Sequence, residues 1–304
     1  MKEERFFPKD PLAIVALFLA TLFFVTIFWW PILNTFWLSL QRKYFAETGW
    51  IGLANFRELF TDDRIFFIAF SNSFKFTLMV VPAVIVIGLG LAVAVNALTN
   101  RSLRGFLTSS FFVAYVVPLV AVAVVWRFIF LPNQQGLFNT FLTSIGLSPL
   151  RWLLDSQTAL LSLAIVSIWR TSGYALLIYL AGLQAIPETL YEAARIDGAS
   201  GWSLFRHISW PLLIPTTAFV AIISTLRAFM MFTETFVMTG ERSMASMEQG
   251  GPNYSTTTVV FYIYQTAFIF FREGYASALA VCLFIVMVLL SYVQFRVIRT
   301  RYEY

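Results

Sequence analysis

Glu192-Ala193-Ala194-Arg195-Ile196-Asp197-Gly198-Ala199, running on to Ile208-Ser209-Trp210-Pro211, is the only long polar-faced helical pattern between two strongly apolar runs. Pro187 stands where a first-turn proline is tolerated, because its missing N–H would be unpaired there anyway. Glu188 and Glu192 lie one turn apart, towards the positive end of the helix dipole. Gly198 follows Asp197 and suits the left-handed conformation that ends a helix. Ser200 is placed to cap a second short helix carrying Trp202, Phe205 and Ile208. Pro211 then starts the next apolar run. The pattern predicts a helix–turn–helix elbow held between two membrane spans. Ala193, Ala194, Gly198 and Ala199 form a small-residue side that another surface can approach closely, with Glu192 and Asp197 as charges beside it.

The composition sets the class. Of 304 residues, 59% are hydrophobic and only 12% are charged, against about a quarter charged in a soluble domain. Several apolar runs exceed the ~20 residues that cross a bilayer. The chain reads as an all-α polytopic membrane protein. Its excess of 21 Lys and Arg over 16 Asp and Glu fits loop bias at a membrane better than nucleic-acid binding. Cys282 is the single cysteine, so no disulfide forms within the chain. His207 has no companions at metal-ligand spacing, which argues against a metal site. No Gly-rich phosphate loop is present, so the chain carries no ATPase of its own. No Ser/His, paired-Asp or metal constellation within the spans points to an enzyme.

Six spans are expected: Leu12 to Leu38, Ser71 to Leu98, Phe106 to Leu131, Thr158 to Gln184, Pro211 to Thr233 and Ala276 to Phe295. The first is too long for a signal-peptide core and is read as a retained span. Residues 1–11 form a cytoplasmic segment, 12–300 the six-helix domain with the elbow at about 185–211, and 301–304 a cytoplasmic tail. The stretches at 39–68 and 132–157, and the one holding Gly240, Gly250, Gly251 and Pro252, read as outer loops. With the N-terminus inside, the short cytoplasmic segments carry Lys2, Arg5, Lys9, Arg101, Arg104, Arg195, Arg206, Arg296, Arg299 and Arg301. The positive-inside rule thus favours both termini in the cytoplasm, although Arg42 and Lys43 oppose it. This orientation puts the elbow in the cytoplasm.

Charges inside spans are expensive and usually face a cavity or a partner. Lys75 and Arg127 lie towards span ends, from which they can snorkel. Glu234 is near an outer end. Arg170 and Arg227 are deeper. Ser167, Arg170, Thr171 and Tyr174 make one polar stripe at helical spacing, and Ser224, Arg227 and Met231 make another. At the ~1.5 Å rise per residue, both stripes lie roughly 20–24 Å above the cytoplasmic ends of their spans. Two roles fit them. They line a solute path, where an aromatic face with hydroxyl and guanidinium donors suits a polyhydroxylated solute, or they tie spans together by hydrogen bonds. Pro82, Pro118 and Pro215 are candidate kinks.

The spaced set Glu192-Ala193-Ala194, Asp197-Gly198-Ala199, Phe205, Ile208 and Pro211 resembles the EAA loop of ABC importer permeases. Trp210 stands where that family usually has leucine. Trp169-Arg170, Leu183 to Pro187, Gly250 to Asn253, Ser255 to Thr258, Tyr264 to Phe268 and Gly274 to Ala278 are similar to the carbohydrate-uptake branch. Glu241 to Gln249 stand as an insertion in that branch's outer loop. The resemblance covers about residues 12–300. It implies a type I importer fold and a permease that forms half of a translocation pore. The partners it implies are a second permease, two ATPase subunits that bind the ATP, an extracytoplasmic solute-binding protein, and a carbohydrate or polyol solute. The loop then docks on the ATPase, and the permease itself holds no cofactor. The alternative is an ion-coupled secondary transporter, which needs intramembrane carboxylates and often paired repeats. Glu234 alone is a candidate carboxylate.

Overall fold

The computed structural model describes residues 11–44, 47–133, 135–240 and 250–299. The segment 1–10 with Lys2, Arg5 and Lys9, the insertion at 241–249 and the tail at 301–304 with Arg301 lie outside the described residues. The chain falls into two compact units, one of Met1–Asp63 and Ile263–Phe284, the other of Arg64–Tyr262 and Ile285–Tyr304.

In the first unit, α1 runs over Pro11–Ser39 and is apolar all round, with no buried residue before Ser39. That suits a helix whose solvent is lipid. The expected loop at 39–68 is instead structured. Strands β1 (Gln41–Tyr44) and β2 (Glu47–Trp50) pair antiparallel, Gln41 opposite Trp50, and helix α2 covers Ala54–Thr61. The buried Asn55 amide donates to the carbonyls of Ser39 and Gln41 at 2.8 and 2.9 Å, satisfying backbone groups that the helix-to-strand passage leaves open. Arg272 pairs with Glu58 at 2.7 Å, Lys43 pairs with Glu273, and the Tyr275 hydroxyl donates to Asp63 at 2.6 Å.

The second unit is built on α3 (Arg64–Asn96), α4 (Arg101–Val116), α5 (Leu119–Ile129), α6 (Leu137–Ser144), α7 (Ala159–Gln184), α8 (Glu188–Ile196) and α9 (Trp202–Phe229). Its core lies where α3, α7 and α9 meet, at Phe76, Val84, Leu163, Leu176, Tyr179, Leu213 and Val220. Small residues set the approach. A methyl group added at Gly173 would lie 2.1 Å from the Phe111 carbonyl oxygen. Such close contacts drive helix association in lipid, where burial alone supplies no force. Helix α10 covers Val259–Ile269, within what reads in the sequence as an outer loop, and α11 covers Glu273–Arg299.

Five helices are long and apolar enough to cross a membrane, and the α4–α5 pair brings the number to six if taken as one span. At Pro118, one of the candidate kinks, the expected third span is broken into two helices whose axes bend by 94°. Val117, next to Pro118, is extended at φ −58° and ψ 136°, as the clash with a following proline ring requires. Pro82 and Pro215 sit inside unbroken helices. Two widened π turns recur before a Trp-Pro pair: Val25–Trp29 before Trp30-Pro31, and Phe205–Ser209 before Trp210-Pro211. In each, the tryptophan N–H reaches back five residues, to Val25 or Phe205. A proline ring clashes with the carbonyl four residues earlier, and a wider turn relieves it.

Candidate functional site

The elbow takes the expected form at its bend. Pro187 precedes the first residue of α8 with φ −59° and ψ 131°. Gly198 has φ +84°, its N–H bonds the Arg195 carbonyl at 3.1 Å, and the Ala199 N–H bonds that of Ala194 at 2.9 Å. These two bonds make a Schellman motif, which satisfies the last carbonyls of α8. Glu192, Ala193, Asp197 and Gly198 are exposed, and Ala194 and Ala199 are half-buried. The small-residue side and its two charges therefore stand open to a partner. Arg195 and Glu188 form an exposed pair at 3.2 Å, worth little by itself.

The second arm of the elbow differs from expectation. Ser200 does not cap it. Gly201, at φ +45°, precedes Trp202 and no side chain caps the turn. The arm is not a separate short helix either, since Trp202 to Phe229 run on as one helix through the π turn. Pro211 is thus exposed in an early turn of the span proper. Phe205 and Ile208 are half-buried, and Trp202 stacks on Phe205 at 5.2 Å between centroids. The Tyr191 and Ser209 hydroxyls bond at 2.9 Å and tie the two arms together. Neither was marked by the sequence pattern, since both are single polar residues at unrelated positions.

The two polar stripes meet. Arg227 places its guanidinium carbon 5.1 Å from the Tyr115 ring centroid and 5.3 Å from that of Tyr174. Arg170 lies 4.9 Å from the Tyr115 centroid and donates to the Tyr115 carbonyl at 3.1 Å. Tyr115 and Tyr174 stack at 4.9 Å with 26° between their planes, so one face of Tyr174 is already covered. Tyr115 comes from α4, beside the break, and no local spacing links it to the stripes. Arg227 is exposed, and Arg170 and Tyr174 are half-buried. Thr171 and Ser224 are buried at 8% and 3% exposure, so their hydroxyls serve the interior in this conformation. Ser167 donates to Glu234 at 3.5 Å, and Glu234 is buried just beyond the end of α9. Arg127 donates to the Val237 carbonyl at 3.3 Å, and Lys75 is exposed. Among the described residues no group of three or more His, Cys, Asp or Glu is placed to hold a metal ion.

Residues 84–304 match the family described as binding-protein-dependent transport system inner membrane components. The chain is 30% identical to the arabinooligosaccharides transport system permease protein AraP of Bacillus subtilis, covering 90% of this chain and 84% of that protein. It is 35% identical to the sulfoquinovosyl glycerol transport system permease protein SmoG of Agrobacterium fabrum, covering 88% and 82%. It is 31% identical to the trehalose/maltose transport system permease protein MalF of Thermococcus litoralis, covering 95% and 93%. A chain in the crystal structure of a bacterial ABC transporter involved in the import of the acidic polysaccharide alginate superposes with a TM-score of 0.82 over 96% of both chains, at 21% identity. That likeness carries the fold, which is the type I importer permease fold the sequence resemblance implies. These relatives are transport permeases rather than enzymes, and they give the ion-coupled alternative no support. The chain, a multi-pass membrane protein, belongs to the family of inner membrane components of binding-protein-dependent transport systems.

Proposed function

We propose that this chain is one of two permease subunits that together enclose the path of an ATP-driven carbohydrate importer. The observation that carries the reading is the family match over residues 84–304, which contains the exposed, Schellman-closed elbow between two spans. The related permeases that move arabinooligosaccharides, trehalose and maltose, and sulfoquinovosyl glycerol support a carbohydrate or polyol solute. A second permease, two ATPase subunits and an extracytoplasmic solute-binding protein complete the assembly. ATP is bound by the ATPase subunits. Both termini lie in the cytoplasm, with residues 1–11 and 301–304 as short segments flanking the membrane domain.

In this reading Glu192, Ala193, Ala194, Asp197, Gly198 and Ala199 form the docking edge for the ATPase, and Phe205, Ile208 and Pro211 fix it to the span. The small side chains let the partner backbone come close, and Glu192 and Asp197 meet basic groups on it. Closure of the ATPase pair moves the elbow. Because Tyr191 bonds Ser209 and α9 is continuous, that movement passes into the helix bearing Ser224 and Arg227. Ser167, Arg170, Thr171, Tyr174, Ser224 and Arg227 belong to the solute path, the buried ones as its supporting layer.

The test is uptake by proteoliposomes holding the permease pair, the ATPase and the binding protein. Uptake requires ATP and the binding protein together. Uptake that persists without the ATPase, driven by an ion gradient, would refute the reading.

A further inference from the structure

The membrane-helix segments 64–129, 159–184, 202–229 and 285–299 contain no Asp or Glu, yet they carry Lys75, Arg127, Arg170 and Arg227 away from their ends or in a last turn. Glu234, the nearest acid in sequence to the path, is buried on Ser167 and feels the charge of Arg170. Arg170 also donates to the Tyr115 carbonyl. Arg227 is different. It is exposed, it stands over the rings of Tyr115 and Tyr174, and among the described residues no carboxylate pairs with it. Arg227 sits in the last turn of α9, and a span charge that its own chain leaves without a counter-ion is a candidate marker of an ion or substrate pathway. Aromatic rings engage the face of a guanidinium and hold it still. Its N–H edge stays available as a fork that fits carboxylate, sulfonate or phosphate oxygens two at a time.

We propose that the solute carried by this permease bears an anionic substituent, a carboxylate, sulfonate or phosphate, and that Arg227, held by Tyr115 and Tyr174, pairs with it in the path. The proposal rests on the importer reading and narrows its solute to acidic sugars and polyol esters. Tyr115 is the positioning residue. It carries both guanidinium groups on one ring and comes from the helix that ends at the Pro118 break, so it acts through the placing of Arg227.

The experiment uses the reconstituted transporter with its binding protein and ATPase. Labelled trigalacturonate, sulfoquinovose and glycerol 3-phosphate are compared with the neutral probes maltotriose, lactose and arabinotriose. ATP hydrolysis stimulated by the binding protein is read in parallel. We expect uptake of at least one anionic probe. Arg227→Met should lower its kcat/KM about tenfold or more, the scale of one lost charge-assisted contact. Arg227→Lys should recover part of that loss. Tyr115→Leu should raise KM for the anionic probe more than it lowers kcat, a split that a merely structural loss of protein would not give. Stimulated hydrolysis with uptake confined to neutral probes, or with none of the anionic ones, overturns the proposal and leaves the importer reading standing. So does anionic uptake indifferent to Arg227→Met at matched membrane abundance. Absence of stimulated hydrolysis overturns the importer reading itself.

Discussion

Gly88 of α3 meets Ala175 of α7 so closely that a methyl group added at Gly88 would lie 2.5 Å from the Ala175 Cβ and 3.3 Å from its carbonyl carbon. Both are buried, and the contact fixes the spacing of the helix pair at the centre of the core. Backbone atoms on the far side cannot turn away, so a larger residue must push the helices apart. Gly88→Val should cost roughly 1–3 kcal/mol, read as a lowered Tm of the purified assembly in detergent. Gly90, two residues on, has nothing within 4 Å of its added methyl. Gly90→Val is therefore the control for helix propensity alone. Equal loss in both variants would remove the packing role of Gly88.

At the elbow, Gly198→Val places a branched side chain at φ +84°. The left-handed conformation costs an L residue roughly 1–2 kcal/mol, enough to shift the bend while the spans insert normally. Glu192→Lys reverses an exposed charge without touching the core. Both variants should reach the membrane and lose uptake, while the ATPase hydrolyses ATP without transport. Normal uptake with either one counts against that residue's assigned role.

Orientation is tested with single cysteines in a Cys282→Ala background. Ser156 and Ser200 are both exposed, one ahead of α7 and the other in the elbow. Ser156→Cys should react with an impermeant thiol reagent from outside, and Ser200→Cys only after the membrane is opened. The reverse pattern would take the elbow away from the ATPase side.

Tyr174→Ala removes a stacked partner of Tyr115 and one of the two rings beneath Arg227. An aromatic pair and a cation–π contact are each worth roughly 0.5–1.5 kcal/mol. Loosening Arg227 in this way should weaken apparent affinity by up to about tenfold. Ser224→Ala should cost less, since Ser224 is buried and loses only a hydroxyl. Concentration-dependent uptake at matched membrane abundance measures both. Unchanged half-saturation and maximal rate in the two would mean that they only pack helices.

Where local chemistry decides the structure, the sequence was readable. Gly198 after Asp197 announced the left-handed turn, and the run lengths announced the spans. Pro118 marked a kink, but the size of a bend depends on what receives the second helix, and a right angle has no local signature. The hairpin at Gln41 to Trp50 lacks alternation between apolar and polar residues, because its strands are held by polar contacts from Asn55 and Glu273. Val259-Val260-Phe261-Tyr262-Ile263-Tyr264 favours strand by composition. It is helical here, started by the Val259 N–H bonding the Ser73 hydroxyl and by Thr258 bonding the Met231 carbonyl. Those partners are remote in the chain. Each polar stripe shows in its own span, whereas Tyr115 joins them only through the packing of α4 on α7.

The widened turn at Phe205–Ser209 makes the facing of the last half of α9 a matter of counting. An α-helix rotates about 100° per residue, and a π turn holds about one residue more. Without it, Ser224 and Arg227 would be swung by about that angle around their axis. The elbow and the guanidinium over Tyr115 and Tyr174 are thus kept in phase by a single surplus residue next to Trp210-Pro211. A deletion of one residue there keeps every side chain of the second stripe and turns the stripe by about 100° from Tyr115 and Tyr174.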